Sequence, residues 1–224
     1  MVNTIRERYR RWQVDELLVR YPGLRIMPTA GTELVLSGEL GFRGVGPNGE
    51  QIDDKFEMEI CVPADFPPVI PTARECRGRI PLSFHKLEGN LLCLGAPTAL
   101  RLTLTQSPTL VTFVEQLVIP YLFGFSYSEK YGTMPFGELA HGDQGILEYL
   151  AELFGSKSPQ NAQEFIRLAS LQKRHANKLP CPCGSGRRLG RCHHLVVNKM
   201  RTEHGRPWFN KEYKRLVQIG RAHV

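Results

Sequence analysis

The sequence has little that indicates secretion or membrane insertion. Its first eight residues, MVNTIRER, carry three charged side chains where a secretory signal peptide needs an apolar run. The most apolar stretch, residues 110–125, is interrupted by Glu115, Gln116 and Pro120. The sequence therefore predicts that this stretch is too short and too polar to span a bilayer. We expect a soluble cytoplasmic protein without a membrane partner.

Acidic side chains are scarce in the last third of the chain. Residues 156–224 carry 15 Lys and Arg against 3 Asp and Glu, whereas residues 1–155 carry 14 against 19. The charge changes near the segment GSKSPQN, residues 155–161, whose small and turn-forming residues suit a connection. We therefore predict a domain over residues 1–155, a linker or helical connection over 156–179, and a small module with a basic tail over 180–224.

Internal repeats and long low-complexity tracts are also missing from the 224 residues, and the apolar content of 42% with 23% charged residues is typical of a globular protein. The six cysteines are few enough to be assigned one by one. In a reducing cytoplasm we expect metal ligands, a nucleophile and core residues in place of three disulfides. Cys61 and Cys76 belong to no ligand pattern, and we interpret both as structural.

The hydrophobic pattern predicts an α+β fold for residues 1–155. Apolar residues at helical spacing predict an amphipathic helix over residues 4–21. Ser107 and Pro108 predict the start of a helix that reaches about residue 121, and a last helix is predicted over 145–154. Between them, period-two alternation predicts an antiparallel sheet with one covered face, built from strands at residues 24–28, 33–42 and 55–62.

Two segments of this region carry a family resemblance. The sequence VPADFPPVIP, residues 62–71, ends an alternating strand, and HKLEGNLLCL, residues 85–94, follows about twenty residues later. Together they resemble the core of ubiquitin-conjugating enzymes, over about residues 4–155. The resemblance implies a ubiquitin-conjugating-like fold with an N-terminal helix, an antiparallel meander, an active-site loop and C-terminal helices. It also implies that Cys93 carries the C-terminus of another protein as a thioester and transfers it to an amine.

The same resemblance assigns roles to other residues in the loop. His85 opens and shapes the loop, and Asn90 is the candidate replacement for the family's Asn, because the usual His-Pro-Asn is His85-Lys86-Leu87 here. Glu88, His141 and Asp143 are candidate bases for the attacking amine. The segment GELAHGDQG, residues 137–145, resembles prokaryotic relatives and implies a bacterial conjugation system of the kind found in antiphage operons. The implied partners are a ubiquitin-like protein and an ATP-dependent activating enzyme.

A second motif lies in the basic tail. The sequence CPCGSGRRLGRCHH, residues 181–194, resembles the SEC-C zinc motif. The resemblance implies that one structural Zn²⁺ is bound by Cys181, Cys183, Cys192 and His193, with His194 as the alternative imidazole. A set of four thiolate and imidazole ligands is typical of closed tetrahedral zinc, which organises a surface and leaves no position for catalysis.

Basic residues surround this motif, and three functions stay open. The first is the thioester-carrying transfer enzyme with a zinc docking module. The second is a non-catalytic adaptor of the same fold that binds a ubiquitin-like protein or a signalling nucleotidyltransferase. The third is a nucleic-acid-associated or ribosome-associated protein whose basic tail contacts RNA or an acidic protein surface. A solvated tail that only aids solubility is the alternative to any such contact.

Overall fold

The computed structural model describes residues 5–95, 97–135, 150–156, 158 and 160–222. The chain divides into a first unit, Met1–Gly95 with Thr103–Glu138, and a second unit, Ala96–Leu102 with Leu139–Val224. The division predicted from the charge pattern differs from this one. Residues near 150 and the segment predicted as a connection belong to the second unit, because their apolar side chains share a core with the Cys/His segment.

The first unit contains a four-stranded antiparallel sheet in the order β1-β2-β3-β4. Phe56, Met58, Ile60 and Val62 are all buried, so the predicted covered face is confirmed. The fourth strand was not predicted, because it directly follows the Pro-rich segment of residues 62–71. The strands are β1 (Leu24–Met27), β2 (Leu34–Val45), β3 (Gln51–Val62) and β4 (Thr72–Glu75).

The N-terminal helix predicted over residues 4–21 is broken into two. Helices α1 (Ile5–Arg11) and α2 (Val14–Arg20) are separated at Gln13, whose backbone is left-handed with φ of 56°. The break lies next to Trp12, which is only 1% exposed and meets the Phe66 ring edge-on at 5.7 Å. Burial of the large Trp12 side chain redirects the chain at Gln13. Helical periodicity alone does not predict this break.

A long helix follows the irregular region. It consists of α4 (Leu110–Phe113), a π-helical turn (Val114–Val118) and α5 (Ile119–Tyr131). Its N-cap is Thr109, whose hydroxyl accepts a hydrogen bond from the Thr112 amide at 3.1 Å. The prediction of Ser107 as the cap is therefore wrong by two residues. Helix α3 (Pro97–Gln106), which precedes it, was not predicted, because residues 63–106 are rich in Pro and Gly.

The segment Leu110–Tyr131 is the one helix in the described parts of the chain that has the length and composition to cross a membrane. It is longer than the apolar stretch seen in the sequence, yet 67% of its most apolar window is buried inside the fold. Phe123 meets Phe42 at 6.5 Å, and Phe125 meets Phe56 at 6.0 Å between ring centroids. These contacts with β2 and β3 are those of a core helix.

The second unit is helical in its described residues. The predicted helix over 145–154 is seen only at its end, where residues 150–153 are helical, and residues 145–149 lie outside the described residues. Leu150 and Phe154 are buried, and the Phe154 ring stacks on Phe165 at 5.0 Å. The elements that follow are α6 (Gln160–Ser170), α7 (Lys173–Ala176), a 3₁₀ turn (Leu189–Arg191), α8 (His194–His204) and α9 (Arg206–Ala222).

Candidate functional site

The motif of residues 181–194 is folded back on the segment that precedes it. The Cys181 amide donates to the Arg187 carbonyl at 2.8 Å, and the Leu189 amide donates to the Leu179 carbonyl at 2.9 Å. Gly184 and Gly186 both have positive φ, 76° and 69°, which glycine adopts without steric cost. The two glycines therefore permit the tight turn that returns Cys192 to the first two cysteines.

This turn brings four donor atoms together. The Cys181, Cys183 and Cys192 sulfurs and one His193 nitrogen all lie within 4.8 Å of one another. The Cys183 and Cys192 sulfurs are 3.6 Å apart, and Nδ1 of His193 is 3.2 Å from both the Cys181 and the Cys192 sulfur. A disulfide would need about 2.05 Å between sulfurs, so these cysteines are free.

The spacing of the donor atoms fits one tetrahedral metal ion. Zinc bonds of about 2.3 Å to sulfur and about 2.0–2.1 Å to nitrogen place tetrahedral ligand atoms about 3.6–3.8 Å apart. The separations between Cys183, Cys192 and His193 are at or slightly below that value. The predicted ligands are thus the residues that the fold gathers. His194, the alternative imidazole, instead begins α8, and its buried Nδ1 has no hydrogen-bond partner among the described residues.

Two of the thiols differ in their environment. Burial raises the pKa of Cys181 to about 11, whereas the hydrogen bond between the Cys183 sulfur and the Ser185 hydroxyl, 3.2 Å long, lowers the pKa of Cys183 to about 6. The more exposed Cys183 thiol is therefore easier to deprotonate than the buried Cys181 thiol. A bound cation favours the deprotonated form of every coordinating thiol.

The cluster is also attached to the core of the second unit. The His193 ring meets Phe165 of α6 edge-on at 5.4 Å, and Cys181 and Leu189 are buried. The four ligands therefore do not lie on an isolated loop. Binding of a metal would fix α6, through Phe165, and the start of α8 in the same event.

The SEC-C motif matches residues 179–195. No curated protein and no solved structure matches the chain. The motif and the Cys/His cluster fit a zinc module at this position. Outside it, the described chain is a mixed α/β protein with a four-stranded antiparallel sheet, and the ubiquitin-conjugating fold and activity stay predictions.

The second candidate site is the loop of Cys93. Residues 85–93 form a small hairpin in which the Cys93 amide donates to the His85 carbonyl at 2.8 Å and the Leu87 amide donates to the Leu91 carbonyl at 2.8 Å. The Leu92 amide donates to the Ala73 carbonyl of β4 at 2.8 Å, which attaches the hairpin to the edge of the sheet. Cys93 is free and half-buried at the base of the hairpin.

The other predicted residues of this loop lie at different places in the hairpin. Asn90 is at the exposed tip, with a left-handed φ of 61°, three residues from the base. His85 lies opposite Cys93, also with a left-handed φ, of 42°, and its ring packs on Phe84 at 5.0 Å. Glu88 is in the 3₁₀ turn at the tip. The remaining candidates, His141 and Asp143, lie outside the described residues.

One neighbour of this loop was not found from the sequence. Tyr121 of α5 donates its hydroxyl to the Phe84 carbonyl at 2.7 Å, and the two rings meet edge-on at 5.6 Å. Burial raises the pKa of the Tyr121 phenol, and the nearby Cys93 thiol adds to the shift. Helical periodicity marked Tyr121 only as part of an apolar helix, because a contact with residue 84 depends on how the helix meets the sheet.

Proposed function

We propose that this chain is a transfer enzyme of the ubiquitin-conjugating type that carries a protein C-terminus as a thioester on Cys93. The observation that carries the proposal is the position of Cys93, half-buried at the base of a hairpin attached to the edge strand β4. The order of helix, antiparallel meander, irregular loop and helix in the first unit supports it. The carried protein is a ubiquitin-like modifier.

The chemistry has two steps. In the first, the Cys93 thiolate attacks the thioester of an activating enzyme, so a new carbon–sulfur bond forms and the activating enzyme's thiolate leaves. In the second, a target amine attacks the Cys93 thioester, a carbon–nitrogen bond forms, and the Cys93 thiolate leaves while the amine loses a proton to a base or to water. Neither step needs an oxidant, and the ATP is used upstream by the activating enzyme.

Within this proposal, His85 and Asn90 act through the backbone. The His85 carbonyl holds the Cys93 amide, and the left-handed backbone of Asn90 closes the hairpin next to Gly89, which is also left-handed with φ of 72°. Asn90 is three residues from Cys93, roughly 10 Å along an extended chain.

The test is an adduct assay with the ubiquitin-like protein, its activating enzyme and ATP. Wild-type protein is expected to form an adduct that a thiol reductant removes. Cys93→Ser should convert it to a reductant-resistant ester, and Cys93→Ala should abolish it. Cys76→Ala is the matched control, since Cys76 is an exposed free cysteine of the same unit and should leave the adduct unchanged. An adduct on the Cys93→Ala protein excludes Cys93 as the acceptor.

We further propose that the metal is Zn²⁺ and that it is structural. Three sulfur ligands and one nitrogen ligand complete a tetrahedron and leave no position for substrate. The cation would organise a basic surface, since no Asp or Glu occurs between residues 165 and 202. Exposed cations in this stretch are Lys173, Arg174, Lys178, Arg187, Arg188, Arg191 and Lys199.

This basic surface favours a second function, docking onto an acidic partner. Hydrogen bonds from Leu189 and Gly190 to the carbonyls of Leu179 and Asn177 hold the arginine-rich turn beside the segment that carries Lys178. A charge-reversed triple variant of Arg187, Arg188 and Arg191 should lose any RNA binding. The RNA affinity of the wild type should fall steeply as the salt concentration rises. Retention of zinc by the variant separates loss of docking from loss of folding. Equal RNA affinity for both proteins at every salt concentration would exclude nucleic acid as the partner.

A further inference from the structure

The backbone at His85 is held in a conformation that a residue with a side chain rarely adopts. Its φ is 42°, in the left-handed region where only glycine is free of steric conflict. Such a residue persists when its surroundings fix it, and strained residues of this kind concentrate at functional sites. The contacts on either side of His85 therefore identify what holds it.

Two hydrogen bonds hold the peptides on either side of His85. On the preceding side, the Tyr121 hydroxyl donates to the Phe84 carbonyl at 2.7 Å. On the following side, the Cys93 amide donates to the His85 carbonyl at 2.8 Å. The Phe84 ring also contacts both neighbouring rings, with its centroid 5.6 Å from that of Tyr121 and 5.0 Å from that of His85. Thus Tyr121 on the helix and Cys93 on the hairpin are connected through the strained residue.

We propose that Tyr121 is a positioning residue for the Cys93 thiol, because its hydroxyl fixes the Phe84–His85 peptide and so the hairpin base that carries the sulfur. This inference rests on the proposed function of Cys93. Burial keeps the phenol protonated by raising its pKa, so it stays a hydrogen-bond donor across the neutral range. Without the hydroxyl, the hairpin base opens more often, which exposes the thiol to small reagents but misaligns it for a protein thioester.

The chain offers a matched control. Tyr127 lies on the same helix, is buried, and donates its hydroxyl to a Glu50 carboxylate oxygen at 3.0 Å. Y121F and Y127F each remove one hydroxyl from α5, and only the first bond reaches the Cys93 loop. Thermal unfolding of both variants establishes that the comparison is made on folded protein.

The experiment measures the rate of Cys93 alkylation by iodoacetamide, followed by mass spectrometry of the tryptic peptide 87–101, in which Cys93 is the single cysteine. Y121F should speed alkylation about fivefold, the change expected for loss of one net hydrogen bond. Y127F should stay within twofold of the wild type. With the activating enzyme and modifier, Y121F should slow adduct formation by a similar factor.

A second variant tests whether the effect passes through His85. Glycine adopts positive φ without restraint, so in the H85G protein the further change Y121F should alter alkylation by less than twofold. The inference is overturned if Y121F alkylates within twofold of the wild type, or if its effect is equally large in the H85G protein. Because alkylation needs no activating enzyme, a missing adduct in every variant counts against the proposed function alone.

Discussion

Nδ1 of His193 lies 3.2 Å from the Cys181 sulfur across twelve positions of the chain. The contact closes the loop between the first ligand and the start of α8, and it includes a thiol that is buried in the second unit. A structural metal at this point would therefore contribute to the folding of the whole second unit and not only of its turn.

The first prediction concerns metal binding. Purified protein should contain one zinc per chain, and Cys192→Ala should lower this to well below one, because three ligands hold zinc much less tightly than four. Chelation should increase hydrogen–deuterium exchange in α6 and α8 and leave β2 and β3 unchanged. Cys61→Ala is the control, since Cys61 lies on β3 of the first unit and is not one of the four clustered donors. Full zinc content in the Cys192→Ala protein would contradict the assignment.

The second prediction concerns a half-buried arginine. Arg201 of α8 donates from Nε to the Ala169 carbonyl at 2.9 Å and from Nη2 to the Leu168 and Leu171 carbonyls, at the C-terminal end of α6. Arg201→Met leaves these carbonyls without a donor and should destabilise the second unit by about 3 kcal/mol. Hydrogen–deuterium exchange of α6 and α8 at increasing urea concentration measures the change in the second unit.

Lys199 provides the control for Arg201. It lies on the same helix with its side chain 75% exposed, so Lys199→Met should change stability by less than about 0.5 kcal/mol. Similar losses of stability in the two variants would mean that the carbonyl contacts of Arg201 are not the cause of the loss in Arg201→Met.

The third prediction concerns pH. The His204 side chain is fully buried, neither ring nitrogen has a hydrogen-bond partner in the described structure, and burial lowers its pKa. The unfolded chain therefore binds a proton more readily than the folded chain. The free energy of unfolding is therefore unaffected by this group above about pH 6.5, the ordinary pKa of histidine, and it falls as the pH drops below that value.

The variant His204→Phe should remove this part of the pH dependence, because phenylalanine packs against Trp208 and Phe209 without a titrating group. The measurement is the free energy of unfolding between pH 5 and 8, with the exposed His175→Gln as the comparison. Glu203, whose carboxylate is 3.8 Å from the His204 ring, opposes the burial effect. An unchanged pH profile in His204→Phe would assign the acid sensitivity to other groups.

The fourth prediction concerns two glycines of β2. A Cβ at Gly44 would lie 2.7 Å from the Phe123 ring, whereas at Gly41 its nearest neighbour would be 3.8 Å away. Gly44→Ala must displace a buried ring of α5 and should cost about 1–3 kcal/mol. Gly41→Ala should change the thermal midpoint little. Equal midpoints for the two variants would show that the helix is not packed on β2 at this point.

The parts of the fold that could be predicted from sequence are those with a local pattern. Strand β3 was predicted because Phe56, Met58 and Ile60 alternate with polar residues. The metal ligands were predicted because residues 181–194 resemble the SEC-C motif, whose ligands here lie within thirteen positions. Strand β4 and helix α3 were missed, since both lie within residues 63–106, which are rich in Pro and Gly.

The features of the fold that were not predicted depend on contacts between residues distant in the sequence. Arg201 was counted only as one more cation of a basic tail, although it is half-buried against the end of α6. The N-terminal helix is interrupted at Gln13 because Trp12 is inserted into the core. The residues around Gln13 give no indication of this break. Neither the contacts of Arg201 nor the burial of Trp12 has a signal in the local sequence, because both arise only when secondary-structure elements pack against one another.

The π-helical turn Val114–Val118 has a consequence for the loop that carries the thiol. A widened turn accommodates one more residue than an α-helical turn, and one residue corresponds to about 100° of rotation. Everything beyond it on the helix, including the tyrosine that reaches Phe84, is turned by that angle relative to the helix start. Removing a single residue from the turn would therefore aim a different side chain at the hairpin while leaving the hairpin's own sequence intact.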